Sequence, residues 1–187
     1  EVPEYFKQYI EWSRCSADLC MRKNGIFLKI VMSKDVPDFV SNGKHYGIDR
    51  GIRKIATVSN NKFYGGGRIK HISSRYERFR SSLQSCGSRS ARRHLARVSR
   101  KEQRFRADVN HCITKDIVSR IESGSTIVLE KLTGIRGGAI KFRKEERKQI
   151  NKWNYYQFEQ FLQYKSEWKG IQVEFVDARY TSQRCSS

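Results

Sequence analysis

The sequence predicts an α/β fold in which a sheet is covered by helices, and three observations carry that prediction. Strand-like runs and helical stretches follow one another as strands, helices, strand, helix, strand. The run Thr126-Ile127-Val128-Leu129-Glu130 is almost wholly apolar, the pattern of a central strand buried on both sides. Val109, Ile113, Ile117 and Ile121 recur every four residues, which keeps them on one helix face turned to a core. A chain of 187 residues that is 37% hydrophobic has enough apolar side chains for one core with an appendage.

From the start, Ala17 to Arg22 and Gly25 to Met32 are strand-like runs joined through Asn24-Gly25, a strong hairpin signal. Pro37 and Ser41-Asn42-Gly43 give residues 34–44 the character of a loop, so a boundary falls there. Tyr46 to Gly51, Ile52 to Ser59 and Lys62 to Gly67 read as three consecutive strands, with Asn60-Asn61 turning between the last two. Ile69 to Arg106 reads as two basic helices broken near Cys86-Gly87-Ser88, and a further helix carries the isoleucines to an end near Ser123-Gly124. Gly134 to Gly138 is a glycine-rich turn. Lys141 to Glu167 reads as a long helix whose Phe158, Phe161 and Leu162 share a buried side with Trp168, and Ile171 to Val176 is the last strand. The division is therefore residues 1–44, hairpin and linker; 45–177, the core with a basic insertion at about 69–106; and 178–187, the start of a further element.

The chain carries 38 Lys and Arg against 19 Asp and Glu, a net charge of +19. Such a charge repels itself in a compact chain unless a polyanion neutralises it, and aromatic residues at 12% offer platforms for bases. Nucleic acid is the expected partner. Arg75, Arg78, Arg89, Arg92, Arg93, Arg97, Arg100, Lys101 and Arg104 are the candidate phosphate contacts, because among the basic residues of 69–106 only Glu77 and Glu102 are acidic. The alternative for these arginines is a merely solvated face. Trp153, Tyr155, Tyr156 and Phe158 either stack on bases or belong to the core.

No apolar run reaches membrane-spanning length and residues 1–9 do not resemble a signal peptide, so an intracellular protein is expected. Cys15, Cys20, Cys86, Cys112 and Cys185 are odd in number and scattered, the pattern of free thiols rather than of a disulfide framework. Gly65-Gly66-Gly67 is followed by neither Lys-Ser nor Lys-Thr, which excludes a P-loop NTPase.

Two carboxylates stand at strand positions, Asp49 in Gly47-Ile48-Asp49-Arg50-Gly51 and Glu130 after Ile127-Val128-Leu129. A carboxylate among apolar strand residues is costly unless it meets a cation or a partner. Phosphodiester hydrolysis supplies a reason for such a pair, since two Mg2+ ions roughly 4 Å apart need hard oxygen donors on rigid strands. The competing reading is that Asp49 begins a turn and Glu130 pairs with a nearby Lys or Arg.

A third feature, Thr181-Ser182-Gln183-Arg184-Cys185 after the last strand, gives the set a specific likeness. The chain resembles the TnpB (OrfB) family of transposon-associated proteins, relatives of the type V CRISPR nucleases. Gly47 to Gly51 is similar to that family's first RuvC motif, Ile127 to Thr133 to the second, and Thr181 to Cys185 to the entry of a zinc ribbon. Asn110-His111 as a helix opening and the basic helical insertion also fit. The likeness runs from Ala17 onward, the hairpin resembling the end of the family's nucleic-acid-binding barrel. It implies an RNase H-like (RuvC) fold with a mixed sheet flanked by helices, Asp49 and Glu130 as catalytic ligands of Mg2+ (or Mn2+), and Cys185 as the first ligand of a four-cysteine zinc site that only a complete protein would fill. It further implies DNA and guide RNA as partners and RNA-guided DNA cleavage as the activity.

Two departures qualify the resemblance. Arg50 stands where relatives usually carry an apolar residue, and a cation beside Asp49 either repels metal or turns to another partner. The sequence ends at Ser187, short of the expected Cys-x-x-Cys completion and of a third carboxylate, so the expectation for these 187 residues is nucleic-acid binding with poor cutting. His111 is read as a packing or capping residue rather than a metal contact. Besides the nuclease, a non-catalytic nucleic-acid-binding descendant on the same fold stays open, with a cut-and-paste transposase as a weaker third.

Overall fold

The computed structural model describes residues 2–22, 25–51, 53–132 and 155–177. The chain divides into two compact units, Glu1–Pro37 and Asp38–Ser187. In the first, a single helical turn α1 (Glu4–Lys7) precedes an antiparallel hairpin of β1 (Ser13–Arg22) and β2 (Gly25–Ser33). Its register runs from Ser13 opposite Ser33 to Arg22 opposite Gly25, with an irregularity between Arg14 and Ser16. The expected hairpin is present and reaches further toward the N-terminus than Ala17. Lys23 and Asn24 of its turn lie outside the described residues. Cross-strand partners Leu19 and Leu28, and Met21 and Ile26, are all exposed.

Among the described residues, the second unit is a five-stranded sheet with helices. Its elements are β3 (His45–Asp49), β4 (Lys54–Val58), β5 (Lys62–Gly65), α2 (Gly67–Cys86), α3 (Arg89–Arg120), β6 (Thr126–Lys131), α4 (Tyr155–Glu167) and β7 (Gln172–Asp177). The spatial order is β5-β4-β3-β6-β7. The first three strands form an antiparallel meander because their connections are short, and Asn61 takes the positive φ of 63° at the β4–β5 turn. The chain then spends α2 and α3 on a crossover, so β6 returns parallel to β3, and α4 carries it to β7, parallel to β6.

Ile48, Ile127 and Leu129 of the central strands pack with Ile117, Phe158 and Leu162 of α3 and α4 in one core. The four-residue spacing of the isoleucines holds: Ile113, Ile117 and Ile121 are buried, with Val109 packed against them. The helices depart from expectation. The second basic helix and the isoleucine helix are one continuous α3 of 32 residues, since nothing near Arg106 interrupts helical pairing. His111 therefore lies inside a helix rather than at its opening. Trp168 follows α4 and is 49% exposed, outside the core that Phe158 and Leu162 share. The break at Gly87 is real: it takes φ 63° as the cap of α2, and the Ser88 hydroxyl accepts from the Ala91 amide to start α3. The glycine-rich turn at 134–138 and the first part of the helix expected from Lys141 lie outside the described residues. No described helix is long and apolar enough to cross a membrane. Cys15, Cys20, Cys86 and Cys112 are free thiols.

The N-terminal ends of β3 and β6 are held by a close three-way junction. Gly124, at φ 81°, donates its amide to the Gly170 carbonyl (2.7 Å) and accepts at its own carbonyl from the Asn42 amide (2.8 Å). Asn42 Nδ2 also donates to the Ser123 carbonyl and the Ser125 hydroxyl. Lys169 Nζ caps the end of α3, donating to the carbonyls of Val118, Ser119 and Ile121. A Cβ on Gly124 would run into the Val40 carbonyl oxygen. Gly124→Ala is expected to cost about 3 kcal/mol, lost from left-handed strain and overpacking together, and to lower Tm by roughly 6–12 °C. Gly87→Ala, with a similar φ but open space, should cost about 1 kcal/mol. Equal shifts for the two in thermal unfolding would show that the close approach at Gly124 is not tight.

Candidate metal centre and nucleic-acid interface

The parallel pairing of β3 with β6 decides where the two carboxylates go. The register runs His45 to Thr126 through Ile48 to Leu129, so the next residues, Asp49 and Glu130, come side by side at the C-terminal ends of adjacent strands. Ile48 and Leu129 face the helix-covered core, and strand alternation turns Asp49 and Glu130 to the opposite face. Asp49 is exposed and Glu130 half-buried. Asp49 lies opposite Thr57 of β4, and Glu130 opposite Val176 of β7. Two oxygen-donor side chains beside each other at the carboxyl ends of parallel strands form a donor set that suits a hard divalent cation. Among the described residues, no group of three or more His, Cys, Asp or Glu gathers closely enough to hold a metal.

Arg50, the departure noted in the sequence, turns away to the helix side. Its guanidinium donates through Nη2 to the Glu130 carbonyl oxygen and through Nη1 to Glu159 Oε2 of α4 at 3.3 Å. Burial pulls the Arg50 guanidinium below its ordinary value, while Glu159, Tyr155 and Glu130 act in the opposite sense. Burial likewise pushes the Tyr155 phenol up; the Arg50 cation opposes that and the Asp49 carboxylate adds to it. Tyr155 and Glu159, one turn apart on α4, therefore belong to the surroundings of the carboxylate pair. Of the aromatics left open by the sequence, Tyr155 and Phe158 are buried and Tyr156 is 67% exposed. Trp153 lies outside the described residues, as does Cys185.

His111 packs its ring on Phe161 of α4, with centroids 3.9 Å apart, and its Nδ1 lies 3.5 Å from the Tyr164 hydroxyl. Burial and the Lys165 cation hold it below the ordinary histidine value. That is the packing role expected of it.

All nine candidate phosphate-binding residues, Arg75 and Arg78 on α2 and the seven from Arg89 to Arg104 on α3, are exposed. On α3 they recur at three- and four-residue steps, opposite the buried Ala91, Val98 and Glu102. Glu102 explains why two other arginines of the run differ: its carboxylate, 5% exposed, accepts from Arg80 of α2 at 2.9 Å and from Arg106. Glu102→Gln is expected to lower stability by about 2 kcal/mol, read as a shifted urea midpoint with unchanged slope, because it leaves two partly buried cations without their counter-charge. An unchanged midpoint would mean that water already satisfies both arginines.

Residues 29–133 match the probable-transposase family model OrfB_IS605, more than half of the chain and both carboxylates included. The chain belongs to the TnpB (OrfB) family. Residues 155–187 match a second model, the Cas12f1-like TNB domain. Among curated relatives of this TnpB-family chain, a TnpB-like protein of Methanocaldococcus jannaschii is 27% identical over 98% of this chain and 71% of its own length. The CRISPR-associated endodeoxyribonucleases Cas12f1 of Sulfoacidibacillus thermotolerans and Syntrophomonas palmitatica are each 31% identical, over 72% and 76% of this chain. The chain spans 27% and 31% of those two proteins. A CRISPR-Cas12f ternary complex superposes with a TM-score of 0.58 at 16% identity, over 91% of this chain and 36% of that one. A Cas12f1-sgRNA-target DNA complex does so with a TM-score of 0.58 at 19% identity, over 89% and 43%. At these identities the structural likeness is one of fold, the RuvC-like mixed sheet with helices, while the relation of the TnpB family to the type V effectors rests on the Cas12f1 sequences.

The residue that sequence reasoning missed is Glu159, and Tyr155, left open between base stacking and core, was not expected beside Arg50. Their only local signal is a four-residue step in a helix, and their meeting with Arg50 depends on the way α4 lies beside the ends of β3 and β6.

Proposed function

We propose that this TnpB-family chain is the nuclease core of an RNA-guided DNA endonuclease, with Asp49 and Glu130 as the protein ligands of Mg2+ (or Mn2+) in two-metal phosphodiester hydrolysis. The observation that carries the reading is the β3–β6 register, which sets two carboxylates from distant parts of the sequence next to each other at the open ends of parallel strands. The Cas12f1 relatives are endodeoxyribonucleases, and one superposed structure holds sgRNA and target DNA, which supports the same substrate class here.

A bound divalent cation supplies Lewis acidity and charge neutralisation for phosphodiester hydrolysis. The chain's own residues do the rest. Asp49 and Glu130 offer oxygen donors from strand ends fixed by the core beneath them, so little reorganisation is needed when a phosphate arrives. The exposed arginines of α2 and α3 hold nucleic-acid backbones without reading sequence, which leaves specificity to base pairing with a guide. The basic surface equally supports a second reading, a nucleic-acid-binding protein without catalysis, because it does not depend on the carboxylates.

The test is to purify the protein with whatever RNA accompanies it, then follow single-stranded and duplex DNA with Mg2+, Mn2+ or chelator. Metal-dependent cutting that needs the RNA supports the endonuclease reading. Tight binding with no cutting under any condition favours the second.

A further inference from the structure

We infer that Arg50 is a positioning residue that sets the spacing of Asp49 and Glu130, an inference that rests on the metal-site reading above. The backbone ladder between β3 and β6 has its last pair at Ile48 and Leu129, one residue short of the carboxylates. Beyond that pair the Arg50 side chain makes the connection. Arg50 follows Asp49 in the chain, and its guanidinium grips the carbonyl of Glu130 itself. The clamp thus joins the main chains that carry the two carboxylates at the point where the ladder no longer does so.

The cost of this arrangement argues that it has a use. The Arg50 side chain is 1% exposed, and its Nε finds no hydrogen-bond partner among the described residues. A buried cation is weak as a source of stability, and an apolar side chain of similar volume commonly does as well or better. An apolar residue could not hold a carbonyl oxygen. Glu159 completes the device: its carboxylate, on the helix side of the sheet, balances the Arg50 charge away from Asp49 and Glu130. The cation beside the candidate metal ligands is therefore balanced from α4.

The consequence is specific to metal affinity. Without the clamp the two strand ends move independently and the donor pair loosens. Without Glu159 the guanidinium has no carboxylate partner on α4 and is drawn toward the metal ligands. Residues that orient metal ligands typically change affinity by about ten- to a hundredfold when altered.

The experiment titrates Mn2+ into the whole 187-residue chain and follows the free-ion signal by electron paramagnetic resonance, with circular dichroism and urea unfolding on each variant. Arg50→Met and Glu159→Gln are expected to weaken Mn2+ binding about ten- to a hundredfold while the fold persists. Arg50→Lys keeps the charge but not the planar two-armed geometry, so it should restore stability more fully than Mn2+ affinity. In parallel, amide exchange at Lys131 should quicken in Arg50→Met. Folded Arg50→Met with native Mn2+ affinity overturns the inference. Should Arg50→Met fail to fold, Glu159→Gln decides, since Glu159 is 26% exposed and its loss is better tolerated; native affinity there overturns it equally. Asp49→Asn separates the two levels: if it leaves Mn2+ binding intact, the metal site itself is wrong and the inference falls with it.

Discussion

Metal-dependent cutting of DNA is expected to fall by about a thousandfold or more when Asp49 is replaced by alanine, with nucleic-acid binding unchanged. A metal ligand stabilises the charge that develops during hydrolysis by several kcal/mol, and each 1.36 kcal/mol is a factor of ten in rate, so loss of one of the two proposed ligands is expected to cost at least about three decades. The structure gives reason to expect the effect to be clean. Asp49 is exposed at the end of β3, on the sheet face away from the core, so its removal leaves no cavity and should change stability by no more than about 0.5 kcal/mol. The exposed arginines proposed to hold backbones lie on α2 and α3 and are untouched by the substitution. A cleavage time course with labelled DNA, run beside filter binding at the same salt, reads both quantities. Cutting within tenfold of the unaltered protein would remove Asp49 from the metal site. Loss of binding in step with cutting would instead make Asp49 part of the binding surface.

Much of the fold was legible because it depends on local signals. The Asn24-Gly25 dipeptide announces a hairpin, four-residue isoleucine spacing gives the buried face of α3, and the short apolar run 126–130 gives the central strand. Each is set by residues near one another in sequence. The misplaced features are those for which local signals compete or are absent. Arg106 to Asp108 contains no breaker, so change of composition alone suggested a boundary that backbone pairing ignores. Trp168 fits the apolar spacing of α4, but the helix has ended at Glu167 and the chain turns through Gly170, which takes φ 66°.

The candidate site was half legible for a related reason. Asp49 and Glu130 were visible as carboxylates at strand ends, and the parallel register set them side by side. The surroundings were not visible. Arg50 in isolation is an anomaly, and nothing near it in sequence shows that its partners are a backbone oxygen on β6 and a carboxylate on α4. Such contacts follow from strand order and helix placement, which are products of the whole core. Glu102 makes the same point within the basic helices: sequence shows a rare acid among arginines, and only packing of α2 on α3 shows that it is buried between Arg80 and Arg106.

Replacing Arg89, Arg93, Arg97 and Arg100 together by glutamine is expected to weaken nucleic-acid binding about a thousandfold at roughly 0.15 M salt. These residues follow one another at steps of four, four and three along α3, so they form one stripe, and its position opposite Ala91, Val98 and Glu102 leaves it turned to solvent. If each arginine neutralises one phosphate, each adds roughly 0.9 to the slope of log affinity against log salt, and the variant should show a slope shallower by between 3 and 4 units. Glutamine is about as good a helix former as arginine, and the substitution relieves like-charge repulsion between neighbours on the stripe by a few tenths of a kcal/mol per pair. The variant should therefore be no less stable than the parent, which separates lost contact from lost fold. The outcome also bears on the +19 charge: a charge that repels itself in the folded chain is tolerable where a polyanion meets it, and this stripe is a regular row within that charge. An unchanged salt slope in the folded variant would assign the stripe to solvent and move the search for the nucleic-acid surface elsewhere on the chain.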